Sequence, residues 1–230
     1  MSSELKPIKL WGRGGLNPSK VRIMLEELGL PYEAISVLLT EVKKPEYVAI
    51  NPNGRIPAIY DPNTGITLWE SGAILEYLIE LYDKEHRFSF ATGTPEYFLS
   101  KQWLFFQTTG QAPYYGQASW FKNYHHEQLP SAIERYVKEI NRVSGVLDAH
   151  LAQQKQEHNG SIADSDGPWL VGNKFSYADM AFISWQKVCE LFLQKDEYNV
   201  DDFPHLTEWL AKMTAREKVK YVQDNFRRPQ

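Results

Sequence analysis

The stretch WGRGGLNPSK, positions 11–20, puts three glycines, an arginine and an asparagine just ahead of an amphipathic run. Three uses fit a glycine turn that opens a helix. Gly12, Gly14 and Asn17 give G-x-G-x-x-N, which could cradle a phosphate. A dinucleotide turn wants glycine or alanine where Asn17 stands, however, and no GK[ST] follows for a P-loop. Asn17–Pro18 also reads as a plain helix start. Asparagine at N-cap accepts a backbone N–H, proline at the first helical position has its φ already set, and the glycines simply permit positive φ. The third use is an anion at the positive helix end, an attraction of about 0.3–1 kcal/mol. A thiolate is such an anion. Lowering a thiol pKa by ~2 units takes about 2.7 kcal/mol, part from the helix and the rest from an amide or hydroxyl donor.

Other reactive residue types are sparse. The only cysteine is Cys189, so no intrachain disulfide forms, which suits a reducing compartment. It lies in the apolar run WQKVCELF and reads as a small buried hydrophobe rather than a nucleophile. His125-His126 has no further ligand at a metal spacing, so no metal is expected. Ser176 and Asp179, flanked by Phe175 and Met180, read as a capping box with a hydrophobic staple, a stabilising motif without chemistry. The net charge of −4 and the short basic runs, REKVK from Arg216 and Arg227-Arg228, argue against nucleic acid as partner. No apolar run approaches the ~20 residues of a membrane span, and the opening residues show no signal core, so a cytoplasmic protein is expected.

The elements that must position these residues change character along the chain. PIKLWG reads as a strand. The helix after it carries Val21, Met24, Leu25 and Leu28 on one face and closes at Gly29, and a second strand starts from Tyr32. That order makes a βαβ unit with parallel strands. IPAIYD and GITLWE, joined by DPNTG, predict an antiparallel hairpin. A helix with Ile74, Leu75, Leu78 and Tyr82 on one stripe follows. The polar stretch DKEHRFSFATGTPEY marks a boundary, and from Pro95 onward only helical patterns remain. The insert KQEHNGSIADSDGP is polar and is expected to be mobile.

Three further pieces make the pattern specific: Arg55-Ile56-Pro57 before a strand in NPNGRIPAIYD, Glu70-Ser71 opening a helix in TLWESGAILEYL, and Ser176 to Asp179 in NKFSYADMAF. With the element order, they resemble the cytosolic glutathione transferases over nearly the whole chain. WESGAILEYL, WLFFQTTGQAP and ERYVKEINRVSGVLD look most like the fungal branch related to the yeast nitrogen-catabolite repressor, and like the bacterial nu class.

The resemblance implies an α/β thioredoxin-like N-terminal domain (1–86), a linker (87–95) and an all-α helical C-terminal domain (96–230), with glutathione as co-substrate. A cis-proline at Pro57 would let the Ile56 backbone pair with the cysteinyl part of the tripeptide. The Ser71 N–H and hydroxyl suit the γ-glutamyl carboxylate, the Glu70 carboxylate suits its ammonium, and Arg55 and Gln111 are further glutathione contacts. Asn17 matches the asparagine of the branch's P-N-G motif and donates to the thiolate, with Arg13 the runner-up source of positive potential. A threonine found two residues earlier in some bacterial members is Gly15 here, which removes one hydroxyl from the thiol's side. Tyr114, Tyr115, Trp120 and Phe121 are expected to wall the second-substrate cleft between domains. The implied protein is a homodimer that conjugates glutathione to small hydrophobic electrophiles, or reduces disulfides or peroxides with it. The alternative is a non-catalytic regulatory protein like the yeast repressor, although only about six residues precede the first strand and no prion-forming tail is expected.

Overall fold

The computed structural model describes residues 5–158 and 167–225. The mobility expected of KQEHNGSIADSDGP falls largely on 159–166, outside the described residues, as do Arg227-Arg228. The chain divides into two compact units. The first takes in everything described up to Arg87 and, from the other end of the chain, Arg216 onward; the second is Phe88–Ala215.

The first unit runs β1 (Ile8–Trp11), α1 (Leu16–Leu28), β2 (Tyr32–Ile35), α2 (Pro45–Val48), β3 (Ala58–Asp61), β4 (Ile66–Trp69) and α3 (Ser71–Tyr82). Its mixed sheet has the order β2-β1-β3-β4, with β1 parallel to β2 and antiparallel to β3, and β3 antiparallel to β4. This is the thioredoxin-like arrangement expected of βαβ followed by ββα. The alternation in β1 sets which face is covered: Ile8 and Leu10 are buried and Lys9 is exposed. Gly29 ends α1 in the left-handed conformation, its N–H returning to the carbonyls of Leu25 and Glu26. Tyr82 was expected on the apolar stripe of α3. Instead the Tyr77 and Tyr82 hydroxyls both donate to Asp61 Oδ2, at 2.8 and 2.5 Å, and tie the hairpin to the helix.

The second unit begins at Phe88, which is buried, accepts the Tyr177 N–H at 2.9 Å and meets the Phe175 ring edge-on. The segment REKVK keeps Glu217, Lys218 and Lys220 exposed. It opens α9 (Glu217–Asp224), whose Val219 and Val222 are buried and which packs against α1. Arg216 holds Glu27 through two hydrogen bonds, Nε to Oε1 at 2.7 Å and Nη2 to Oε2 at 3.1 Å. That fork matches carboxylate geometry and returns the chain end to the first unit.

The second unit is helical: α4 (Pro95–Phe106), a π-turn at Gln107–Gln111, α5 (Ala112–Asn123), α6 (Pro130–His158), α7 (Tyr177–Phe192) and α8 (Pro204–Ala215). Thr94 caps α4 by accepting the Tyr97 N–H, and Pro95 follows at the first turn. Trp103, Ile140, Leu147, Phe182 and Trp209 form much of the core. The capping box at Ser176 closes as expected. Asp179 does more than close it. Its carboxylate accepts from Ser176 N, Ser176 Oγ, Leu170 N and Trp209 Nε1, each at 2.9 Å. Burial pushes its pKa up, against those four donors. Ser176→Ala is expected to cost about 1 kcal/mol, the value of a lost cap. Asp179→Ala strands three buried N–H donors and is expected to cost about 4 kcal/mol. Urea unfolding of the two variants checks the ranking, which a simple capping role for Asp179 would not give.

Candidate functional site

Gly12 follows β1 with φ 115°, and a Cβ there would lie 2.9 Å from Pro18 Cγ and 3.1 Å from Ile56 Cβ. Only a glycine lets the end of β1, the start of α1 and the loop before β3 close on one another. The helix itself starts earlier than expected. Gly15, at φ 107° and ψ 157°, is the cap, and the first helical bond runs from Ser19 N to Gly15 O at 3.1 Å. Asn17 is therefore the second helical residue rather than the N-cap, and Pro18 is the third. The glycine conformation fixes this start. Pro18 still removes no bond, because the first N–H groups of a helix have no partner within it. Asn17 is half-buried, and Arg13 is exposed on the turn.

The loop before β3 is braced from behind. Tyr47 Oη and Asn51 Nδ2 both donate to the Arg55 carbonyl, at 2.9 and 2.6 Å, while Asn51 Oδ1 accepts the Asn53 N–H. The Arg55 side chain is left exposed. The Ile56–Pro57 peptide is cis, as the resemblance implies. Sequence reasoning did not single out Tyr47 or Asn51, although the turn chemistry of N-P-N-G could have flagged Asn51.

At the end of β4, Glu70 sits at φ 69° and ψ 114°, a conformation L-residues rarely adopt. It delivers its carbonyl to Ile74 N at 2.9 Å, which starts α3 at Ser71. Ser71 is buried, and the N–H groups that open α3 form a positive end beside the exposed Glu70 carboxylate. Lys20, which the apolar periodicity of α1 left unremarked, is 1% exposed. Burial pulls its pKa down to about 7, and the charge of Glu70 partly opposes that.

The first unit thus brings Arg13, Asn17, Arg55, Ile56, Pro57, Glu70 and Ser71 onto three elements that meet around Gly12 and the start of α3. In the second unit two of the expected site residues are buried. Gln111 is fully buried: its Oε1 accepts from Gln107 Nε2 and its Nε2 donates to Gln186 Oε1, each at 3.1 Å. Tyr115 is also fully buried, its hydroxyl within 3.3 Å of Ile140 O, Ser144 Oγ and Gln186 Oε1. Both side chains are tied into the interior of the helical unit. Gln107 and Gln111 lie at the two ends of the π-turn that joins α4 to α5. Tyr114, Trp120 and Phe121 keep accessible surface. Phe121 stacks on Tyr136 at 5.6 Å, Tyr114 lies 6.2 Å from the same ring, and Trp120 stacks on Tyr124.

Residues 16–81 match the family model described as glutathione S-transferase, N-terminal domain, and residues 116–224 match the C-terminal domain model of the same family. The chain belongs to the glutathione transferase family. It is 60% identical over 221 residues to the glutathione S-transferase-like protein gedE of Aspergillus terreus, covering 96% of each chain. A glutathione transferase from Phanerochaete chrysosporium, URE2P6, solved with oxidised glutathione, superposes with a TM-score of 0.84 at 42% identity over 97% of both chains. The transcriptional regulator URE2 of Saccharomyces cerevisiae is 36% identical over 90% of this chain, which spans 64% of that protein.

In this member of the glutathione transferase family, Cys189 and His125 are held by local structure. Cys189 is fully buried and its thiol pKa is driven well up by burial. His125 Nδ1 lies 2.8 Å from the Glu127 carbonyl, closing a local turn.

Two stability measurements probe the site without a ligand. Positive φ at a non-glycine residue costs about 1–3 kcal/mol, and glycine's extra chain entropy returns about 0.5–1 kcal/mol of that. Glu70→Gly is therefore expected to raise stability by about 1 kcal/mol in urea unfolding, and Glu70→Ala is expected not to. Lys20 titrates near 10.5 when unfolded and near 7 when folded. Above pH 7 the unfolded chain holds a proton that the folded protein has lost, so this residue makes stability rise with pH. The slope from pH 7 to 8.5 should reach about 1.4 kcal/mol per pH unit relative to Lys20→Met, in which that contribution is gone.

Proposed function

We propose that the chain is a catalytic glutathione transferase that binds the tripeptide along the first unit and ionises its thiol at the start of α1. The observation that carries this reading is the meeting of three backbone elements at Gly12, with the open N-terminus of α3 and the Glu70 carboxylate alongside. The γ-glutamyl carboxylate takes the N–H groups at Ser71, and its ammonium takes Glu70. The Ile56 backbone pairs with the cysteinyl residue, and Arg55 lies toward the glycyl end. The sulfur rests at the first turn of α1, where Asn17 donates to it and Arg13 adds positive potential. That a Phanerochaete relative was solved with oxidised glutathione supports the choice of ligand.

The thiolate then attacks an electrophilic carbon and displaces its leaving group, or attacks a disulfide and expels a thiolate. Tyr114, Trp120 and Phe121 offer flat apolar surface for the second substrate. The protein works as a cytoplasmic homodimer. Ile66 and Trp69 on the edge strand β4, and Phe98 and Phe105 seven residues apart on α4, are exposed apolar groups that a second copy would cover.

A second reading, a glutathione-binding regulator, is favoured by the likeness to URE2 and by Gly15, which brings no hydroxyl to the thiol. Calorimetry with glutathione, followed by turnover of an aryl halide and of a mixed disulfide side by side, separates the readings. Binding with turnover of either substrate is expected. Tight binding with no turnover of either would favour the regulator, and no binding at all would sink both. Asn17→Ala is expected to raise the pKa of the bound thiol by about 1 unit, the value of one lost hydrogen bond to the thiolate. An unchanged value would remove Asn17 from the mechanism.

A further inference from the structure

Two buried side chains converge on one carbonyl in the loop before β3. Tyr47, on α2, and Asn51, in the turn after it, are 5% and 2% exposed. They place Oη at 2.9 Å and Nδ2 at 2.6 Å from the Arg55 carbonyl oxygen. Asn51 is itself held, because its Oδ1 accepts the Asn53 N–H at 2.9 Å. Burial raises the Tyr47 pKa to about 12, so its hydroxyl keeps its proton through the neutral range. Neither side chain has a role in the contacts proposed above.

The Arg55 carbonyl belongs to the peptide whose other end is the Ile56 N–H, and that peptide is trans. In a planar trans peptide the C=O and N–H bonds point in opposite directions. Two donors that fix the carbonyl therefore fix the N–H as well, and aim it away from Tyr47 and Asn51. The Ile56 N–H has no hydrogen-bond partner among the described residues. Ile56 also stands beside the glycine turn, since its Cβ is 3.1 Å from where a Cβ at Gly12 would lie. A carbonyl that accepts two hydrogen bonds polarises its own amide, which strengthens the N–H as a donor. The brace thus ends in an unspent donor rather than in another internal bond.

We propose that Tyr47 and Asn51 are positioning residues for glutathione: acting through the Arg55–Ile56 peptide, they aim the Ile56 N–H at the cysteinyl carbonyl of the bound tripeptide. This deepens the glutathione-binding reading above and rests on it. Neither residue touches the ligand. They set the direction and strength of one backbone donor, so their loss weakens that one bond and leaves the γ-glutamyl contacts at Ser71 and Glu70 in place.

The test uses two ligands: glutathione, and an analogue in which a trans carbon–carbon double bond replaces the cysteinyl–glycyl amide. The analogue keeps the γ-glutamyl head, the thiol and the glycyl carboxylate but has no cysteinyl carbonyl. Calorimetry measures the affinity of each ligand for the whole chain as wild type, Tyr47→Phe and Asn51→Asp. Tyr47→Phe deletes one hydroxyl. Asn51→Asp removes a donor to the Arg55 carbonyl and keeps an acceptor for the Asn53 N–H. Wild type is expected to bind glutathione about tenfold more tightly than the analogue, the worth of one good hydrogen bond. Tyr47→Phe is expected to bind glutathione about threefold more weakly and Asn51→Asp about fivefold, with affinity for the analogue within about twofold of wild type.

Equal weakening of both ligands in a variant would mark a purely structural role and overturn the proposal. An unchanged preference for glutathione in either variant also overturns it. So does a wild type that binds both ligands equally, since the Ile56 N–H would then do nothing for the carbonyl. Should Asn51→Asp fail to fold, Tyr47→Phe decides alone, because Asn51 still holds the loop in that variant. Failure of the wild type to bind glutathione at all overturns the underlying reading instead, and that outcome is visible before any variant is made.

Discussion

At Gly12 there is room for a hydrogen atom and nothing larger. Pro18 and Ile56 approach from either side to distances that a methyl group could not share. Everything functional in the first unit depends on that approach, because it brings a strand end, a helix start and a loop to one place while each keeps its own hydrogen bonding. The arrangement is held from outside the contact. Tyr47 and Asn51 fix the Arg55 carbonyl, Gly15 starts α1, and Glu70 starts α3. A bulkier residue at position 12 would separate the turn from the loop and leave two half-sites.

How much of this could be read from the amino acids depended on whether the information was local. The strand–helix order, the hairpin through DPNTG, the end of α1 at Gly29 and the capping box at Ser176 all rest on short-range chemistry, and all are found. The misses are places where a distant segment decides the outcome. The return of the chain end to α1 is unannounced, since Arg216 meets Glu27 189 positions away. The π-turn at Gln107–Gln111 is also unannounced, because helical periodicity gives no warning of an inserted residue. Asn17 lost the cap to Gly15, because an asparagine preference of a few tenths of a kcal/mol over glycine yields to a backbone angle that glycine adopts freely. Lys20 was invisible for the same kind of reason: its burial comes from the elements packed against α1, and nothing in its neighbours announces it.

Several buried polar groups of the helical unit are joined to one another. Asp179 collects four donors, and Gln107, Gln111, Gln186, Ser144 and Tyr198 form a connected network whose members largely satisfy one another. Networks of this kind specify a single packing and rigidify it. Their loss is costly, because each partner removed leaves a buried polar group behind.

The first unit keeps tension where the helical unit has relaxed it. Glu70 holds a backbone conformation that glycine would hold more easily, and Lys20 keeps an amine where its charged form is poorly solvated. Neither is needed for the sheet or for the packing of α1, since an apolar residue would bury better at position 20 and a glycine would turn better at position 70. Local choices that conflict with stability concentrate where a sequence is serving something other than the fold. Here both conflicts fall beside the open end of α3, and they are coupled, because the carboxylate forced outward at Glu70 is the charge that Lys20 feels. Both lie in the unit that matches the N-terminal domain model of the family, which is the physical argument for seeking the ligand there rather than in the helical unit.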